Sequence, residues 1–290
     1  MLSFLIVGAT GKQGGRTITT LLEGQGSTNR EASSIHFLTR NPDGSAAKSL
    51  TAKGAKAFKG DLFDQAGLKE ALKGVNRAFL VTDAAVGEEK EIQQGKNFVD
   101  VAKAQGVEHI VFSSVGGADV ADTVPHFRSK FEVEKHLKAS GMTYTILRPV
   151  AFMDNFPPAP GIARFLGVGV FYSFAGHKPV QLIATEDIGV FAGKALLDPH
   201  DPKFLNKTIE LSAGTYSLAD VEAGFAKVQG AAPWVARYTP KVLRNLIPFD
   251  FRQMMIFFEE KGYPPPDVAY LKSIHPGLMS FEDWVRKQSK

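Results

Sequence analysis

Short apolar runs and helical patterns alternate along the first half of the chain. FLIVG (4–8) is a run of buried-strand type, and a helical pattern over about 12–23 follows it, with Ile18, Leu21 and Leu22 on one face. IHFLT (35–39), AKAF (55–58), AFLVT (78–82), HIVFS (109–113) and TYTIL (143–147) repeat the strand pattern, with helices predicted near 64–73, 88–104 and 126–139. β-Branched and aromatic runs of this length suit strands buried on both faces, and Gly74, Gly106 and Gly141 stand where helix C-caps belong. This alternation builds a mostly parallel sheet with helices on both faces. Right-handed crossovers then give an α/β, doubly wound order.

After Arg148-Pro149 the pattern changes. Residues 149–176 are rich in Phe, Pro and Gly and show no long periodic segment. Two strand-then-helix units follow. PVQLI (179–183) precedes a helix to about 197 with Thr185 as its N-cap, and TIELS (208–212) precedes a helix to about 229 with Ser217 as its N-cap. Residues 231–290 mix short helical patterns with Pro-rich turns. The expected boundary lies near 150. Residues 1–150 form the first domain, completed by segments within about 177–230, and residues 151–290 form a smaller α+β domain.

Composition narrows the picture by exclusion. The 290 residues include no Cys, which removes disulfides, thiolate chemistry and Cys-ligated metals. Apolar residues make up 44%, enough to offset chain entropy, so a disordered chain is excluded. The formal charge is +4, but Lys and Arg alternate with acids, as in EEKEIQQGK, and form no basic block. That reads as solvated faces rather than a nucleic-acid surface. The run 4–8 is too short for a signal-peptide core, and 165–176 is too short and glycine-rich for a membrane span. The expectation is a protein of the cytoplasm, and also of the nucleus if it is a regulator, as a monomer or homodimer without a metal site.

The first strand runs into GATGKQGG, whose Gly8, Gly11 and Gly14 open a helix. The first glycine permits a tight turn, the second lets a pyrophosphate approach the backbone, and the third lets helix and sheet pack closely. The helix N-terminus adds amide donors and a positive dipole end for phosphates. The sequence therefore predicts a bound dinucleotide. An acid at the end of the second strand would select the NAD ribose hydroxyl, but this chain reads Thr39-Arg40-Asn41 there. Arg40 suits a 2′-phosphate, so NADP(H) is expected. The long spacing from the glycines is explained by reading the polar segment 24–34 as a loop insertion. Asp61, in GDLFD, is placed either to meet the adenine edge or to serve its own turn. Thr82 ends the fourth strand, where such sheets bind ligands.

Taken in order, GATGKQGG, TRNP, GDLFD, FSSVGGA, HFRSKFEVEKHL and LRPVAFMDNF resemble the NmrA-like family over about 4–156, with a weaker match that includes FEDW at 281–284. That family belongs to the atypical short-chain dehydrogenases and is related to isoflavone-reductase-like enzymes. The resemblance implies a Rossmann domain that binds NADP(H), and a smaller domain that closes over the nicotinamide. It also implies cofactor contacts at Gly8, Thr10, Gly11, Lys12, Gln13, Arg40, Asp61, Leu62, Thr82 and Lys130. The turn from Pro149 through Phe152 to Asn155 would lie beside the nicotinamide.

Ordinary short-chain dehydrogenases place a Tyr and a Lys four residues apart on one helix, where the ammonium lowers the phenol pKa. Here Lys130 keeps its position and His126 stands in place of the tyrosine. His126 can exchange a proton near neutral pH or simply cap the helix start, and Lys130 can hold ribose hydroxyls or lie at the surface. Ser113 or Ser114, after the fifth strand, could hydrogen-bond a substrate carbonyl or satisfy backbone. We take Lys130, His126 and Ser114 as the catalytic candidates. The chain also carries 22 Phe, and Phe152, Phe156, Phe165, Phe171, Tyr172 and Phe174 crowd one segment. With Phe249, Phe251, Phe257 and Phe258 they either line a pocket for an apolar or aromatic substrate, through Phe152, Phe156 and Tyr172, or fill a core. Two functions follow. One is an NADPH-dependent oxidoreductase acting on an apolar carbonyl, quinone or enone. The other is an NADP(H)-binding redox sensor that controls a protein partner such as a transcription factor.

Overall fold

The structure is a computed structural model that describes residues 2–26 and 33–289. Six strands alternate with helices through residue 149: β1 (Ser3–Ile6), β2 (Ser34–Thr39), β3 (Lys56–Lys59), β4 (Arg77–Val81), β5 (His109–Ser113) and β6 (Thr143–Pro149). The helices between them are α1 (Lys12–Gly26), α2 (Ser45–Ala52), α3 (Gln65–Leu72), α4 (Glu88–Ala104) and α5 (Pro125–Ala139). The sheet order is β3-β2-β1-β4-β5-β6, extended at its edge by β9 (Lys207–Leu211). All neighbouring pairs among β1–β6 are parallel. This is the doubly wound Rossmann order, and its direction reverses between β1 and β4, where such sheets bind ligands beyond their carboxyl ends.

Two compact units divide the chain. Unit one comprises 1–115, 128–148 and 186–209, and unit two comprises 116–127, 149–185 and 210–290. In unit one, Leu5, Val7, Leu38, Leu80, Ile110, Phe112 and Ile146 from the strands meet Leu68, Leu72, Phe98 and Val133 from α3, α4 and α5 in one buried cluster. Strands β1 and β5 are buried along their whole length, as their unbroken apolar runs require. Helix α7 (Thr185–Leu197) ends on Arg77, whose Nη1 donates to the carbonyls of Leu196 (2.7 Å) and Leu197 (3.0 Å). Those carbonyls have no intrahelical partner, so a guanidinium there acts as a C-cap.

Unit two is built around aromatic rings. It contains β7 (Ala151–Phe152), β8 (Val180–Ile183) and β10 (Gly214–Tyr216) in a sheet of order β10-β8-β7. Its helices are α6 (Ile162–Phe174), α8 (Leu218–Gln229), α9 (Phe249–Glu260), α10 (Val268–Ile274) and α11 (Phe281–Gln288). Ser217 caps α8 in a reciprocal box with Asp220, and Ser280 caps α11 with Asp283 in the same way.

Several expectations change. Helix α6 occupies the stretch where no periodic segment was expected. IARFLGVGVFYSF is apolar nearly all round, so it shows no polar face to mark a helix. Helix α2 and strand β10 were not anticipated. Helix α1 runs to Gly26 rather than stopping near 23, so the supposed insertion 24–34 begins as helix, and its residues 27–32 lie outside the described residues. Thr185 is the first helical residue of α7 rather than its cap. Among the described residues no helix is long and apolar enough to cross a membrane, and no group of three or more potential metal ligands occurs.

One packing constraint bears directly on the site. A Cβ at Gly95 of α4 would collide with the Val133 side chain of α5, so these two helices are in backbone-to-side-chain contact. Gly95→Leu should therefore destabilise the protein by about 1–3 kcal/mol. Val133→Ala in the same chain should recover more than half of that loss in a urea-denaturation double-mutant cycle. Additive losses would show that the two helices do not meet as described.

Candidate functional site

The glycine turn follows from backbone sterics. Gly8 has φ +67°, and a Cβ there would run into the Val81 side chain of β4. A Cβ at Gly14 would lie 2.5 Å from the Gly8 carbonyl oxygen and 2.7 Å from Ala9 Cα. Only glycine lets the first turn of α1 close on β1 this tightly. The Gly11 amide donates to the Gly8 carbonyl at 3.0 Å and fixes the turn, and Thr10, Gly11 and Lys12 are exposed on its outer side. Gln13 is anchored from across the sheet, because Ser113 Oγ, at the end of β5, donates to Gln13 Oε1 at 2.7 Å. The chain thus builds a rigid cradle of small residues at the carboxyl end of the sheet, beside the β1/β4 reversal.

The next strands complete the rim. Arg40 is exposed directly after β2, and the Asn41 amide donates to Thr39 Oγ1. Asp61 Oδ1 accepts from the amides of Phe63 (2.7 Å) and Asp64 (3.1 Å), so one carboxylate oxygen serves its own turn. The Leu62 side chain is buried in the core cluster and its carbonyl accepts from Asn97 Nδ2, which leaves the residue little to offer a ligand.

At the end of β4 lies a buried polar network. Lys130 Nζ, on α5, donates to Glu91 Oε1 at 2.7 Å and to Thr82 Oγ1 at 3.0 Å. Thr82 Oγ1 donates to Glu91 Oε1 at 2.7 Å, and Ser129 Oγ donates to Glu91 Oε2. Glu91 is fully buried on α4. Burial pushes its carboxyl up, but the Lys130 ammonium and the three hydrogen bonds outweigh burial and hold it below the ordinary carboxylate range. Two of the three ammonium protons are used in this network. Glu91 was not anticipated. Its signal was a charged residue on the inward face of α4, in register with Gln94 and Phe98.

One turn further along α5, a second buried carboxylate has the opposite arrangement. Glu134 accepts from Arg148 Nε (2.9 Å) and Nη2 (2.8 Å), a bidentate pair, and from Ser114 Oγ at 2.6 Å. Ser114 thus spends its hydroxyl proton on Glu134 rather than offering it to a substrate carbonyl.

His126 belongs to unit two. Its Nδ1 lies 2.7 Å from Asp250 Oδ1 on α9, and its backbone amide donates to the same oxygen at 3.3 Å. Asp250 was also not anticipated, since 124 residues separate the pair. A carboxylate at this place both stabilises the N-terminus of α5 and orients the imidazole.

The aromatic segment is mostly core. Phe156 is 1% exposed and packs against Phe171, Tyr172 and Phe281. Tyr172 is fully buried, and its hydroxyl donates to the Tyr216 carbonyl at 2.9 Å. These two side chains are packed into the aromatic core of unit two, against the expectation that they contact substrate. Phe152 is half-buried on β7, Pro149 is buried at the end of β6, and Asn155 is exposed. Between them Asp154 Oδ2 accepts from the Thr185 amide at 2.9 Å and caps α7. Phe257 and Phe258 are buried, whereas Phe249 and Phe251 are 56% exposed.

Residues 3–276 match the NmrA-like family. The chain is 30% identical to Quinone oxidoreductase 2 of Escherichia coli over 227 residues, 78% of this chain and 74% of that protein. The fold matches the crystal structure of the NADPH-dependent quinone oxidoreductase of E. coli complexed with NADPH, with a TM-score of 0.75 at 23% identity, over 99% of this chain and 100% of that one. It also matches NmrA, a negative transcriptional regulator, in complex with NADP, with a TM-score of 0.72 at 19% identity, over 99% and 94%.

The buried network has a defined pH signature. The Glu91 carboxyl is depressed in the fold, so its contribution is complete above its unfolded pKa and is lost as pH falls through the lower folded value. Glu91→Gln leaves Lys130 buried opposite a neutral amide and should cost about 3–5 kcal/mol at neutral pH. The gap to wild type should narrow as pH drops below the carboxylate range. Urea melts across that range measure both, and a gap that stays constant would mean that Glu91 carries no charge in the native protein.

Proposed function

The chain belongs to the NmrA-like family, and we propose that it is an NADP(H)-dependent oxidoreductase that reduces apolar or aromatic quinones, enones or carbonyls. The observation that carries this reading is the cradle after β1, where added Cβ atoms at Gly8 and Gly14 would strike Val81 and the turn itself. Those glycines let the turn and the start of α1 close tightly on the sheet, which brings a helix N-terminus that favours anions to its carboxyl end. The 30% identity to a quinone oxidoreductase over most of both chains supports the reaction class.

In this reading Gly8, Thr10, Gly11, Lys12 and Gln13 hold the pyrophosphate, and exposed Arg40 pairs with the 2′-phosphate. Lys130 donates its third N–H to a ribose hydroxyl, and Glu91 and Thr82 hold the ammonium in place for that contact. When bound, the reduced nicotinamide supplies the hydride. His126 supplies the proton to the acceptor oxygen, with Asp250 holding the ring through Nδ1. Hydride plus proton converts a quinone to a hydroquinone without further reductant. The serine is left out, because Ser114 already serves Glu134.

One observation favours a second reading, a dinucleotide-responsive regulator of a protein partner. The Ser114 hydroxyl is spent on Glu134 and the Lys130 ammonium is tied to Glu91 and Thr82, so both serve structural networks, as a binding protein without turnover allows. Titration of NADP+ and NADPH, with partner capture in each state, tests it.

NADPH consumption with a panel of para-quinones and enones decides between the two. Turnover should fall by at least about tenfold in His126→Ala with NADPH affinity retained. Arg40→Glu should weaken NADPH by about 10- to 100-fold and leave NADH nearly unchanged. No consumption above that of Gly14→Val with any acceptor would falsify the enzyme reading. Equal losses for NADPH and NADH in Arg40→Glu would remove the 2′-phosphate assignment.

A further inference from the structure

Unit two contains a pocket of about 420 Å³ at the start of α6 and the segment after α8, walled by Pro160, Ile162, Phe165 and Trp234 with Arg164 and Gln229. The Trp234 ring stacks on Phe165 with centroids 4.3 Å apart. Trp234 is nevertheless 80% exposed, and Ile162 is 68% exposed. Large apolar side chains held out in solvent around a concavity are what a site for flat apolar ligands requires.

Arg164 is the unusual member. It is 2% exposed, and among the described residues no carboxylate pairs with it. Its partners are neutral: Nε donates to the Pro157 carbonyl at 2.9 Å, Nη1 donates to Gln229 Oε1 at 2.7 Å, and the guanidinium carbon lies 3.9 Å over the Phe225 ring. Its Nη2 is buried with no hydrogen-bond partner. Desolvation pulls its pKa down, with no acidic group to offset it. Buried guanidinium groups are almost always matched by an anion, and buried donors by an acceptor. A methionine or leucine would fill the same space without that penalty. The missing partner is therefore an acceptor with negative charge, supplied from outside the chain.

We propose that this pocket binds a small aromatic carboxylate, with its ring against Trp234 and Phe165 and its carboxylate on Nη2 of Arg164. Carboxylate geometry suits a guanidinium edge, and the stacked walls select a flat ring. Nη2 is buried, so seating the carboxylate on it requires the pocket wall around Arg164 to open. The site needs no dinucleotide, and the proposal stands apart from the redox reading.

Calorimetric titration of the full chain, without dinucleotide, tests it with 2-naphthoate and its neutral counterpart 2-naphthylmethanol. Naphthoate should bind saturably, and the alcohol should bind at least about tenfold more weakly. Trp234→Ala should weaken naphthoate by about tenfold, and this exposed position leaves the fold and Arg164 intact. Arg164→Gln should bring naphthoate down to the level of the alcohol. If that variant does not fold, the alcohol comparison and Trp234→Ala decide. Absence of saturation, equal affinity for acid and alcohol, or unchanged affinity in Trp234→Ala overturns the proposal.

Discussion

Two carboxylates buried on facing surfaces of unit one cannot stay charged without a cation, and the helix that supplies or receives that compensation is the same in both cases. Helix α5 donates Lys130 to Glu91 of α4 and, one turn later, presents Glu134 to Arg148 of β6. The two pairs tie α5 both to α4 and to β6. Removing a single partner strands a charge in the core, which costs more than the intact pair contributes. The position of α5 over the carboxyl ends of β4 and β5 is therefore over-determined, and with it the positions of Thr82, Ser114 and Lys130.

That fixity shapes what the site can do. Lys130 is held by Glu91 and Thr82, which fix its ammonium in place. In the first turn of the same helix, His126 leans instead on Asp250 of α9. A tyrosine–lysine pair would place both duties on one face of one element. In this chain Lys130 and His126 have different partners, and each can be altered without unpairing the other.

The strand–helix alternation, the glycine turn and the arginine after β2 were legible in the sequence because each is a local pattern. Periodicity reports which face is buried, and a turn that demands glycine is written within a few residues. Helix α6 was not legible, because a helix apolar on nearly every side has no polar face to betray its period. For Phe156 and Tyr172 the sequence leaves pocket and core open, because clustering of aromatic residues is the same signal whether the rings line a space or fill it. Glu91, Asp250 and Glu134 were missed as partners for a different reason. Their meaning lies in contacts across 39, 124 and 14 residues of chain, and no window of sequence displays those. Glu91 alone left a trace, as an acid on an inward helix face.

The interleaving of the two units sets the order in which the chain can become whole. It passes between them after residues 115, 127, 148, 185 and 209, so neither unit is a continuous stretch that could be excised or grafted intact. During synthesis β6 emerges well before β9, the strand that covers its outer edge. At ribosomal rates that edge waits on the order of several seconds. For that interval the growing chain displays an open row of backbone donors and acceptors, the usual template for wrong pairing. Arg148, Pro149 and the turn to β7 lie at that exposed end, so the segment that later joins the two units also passes through the most aggregation-prone stage of the protein's birth.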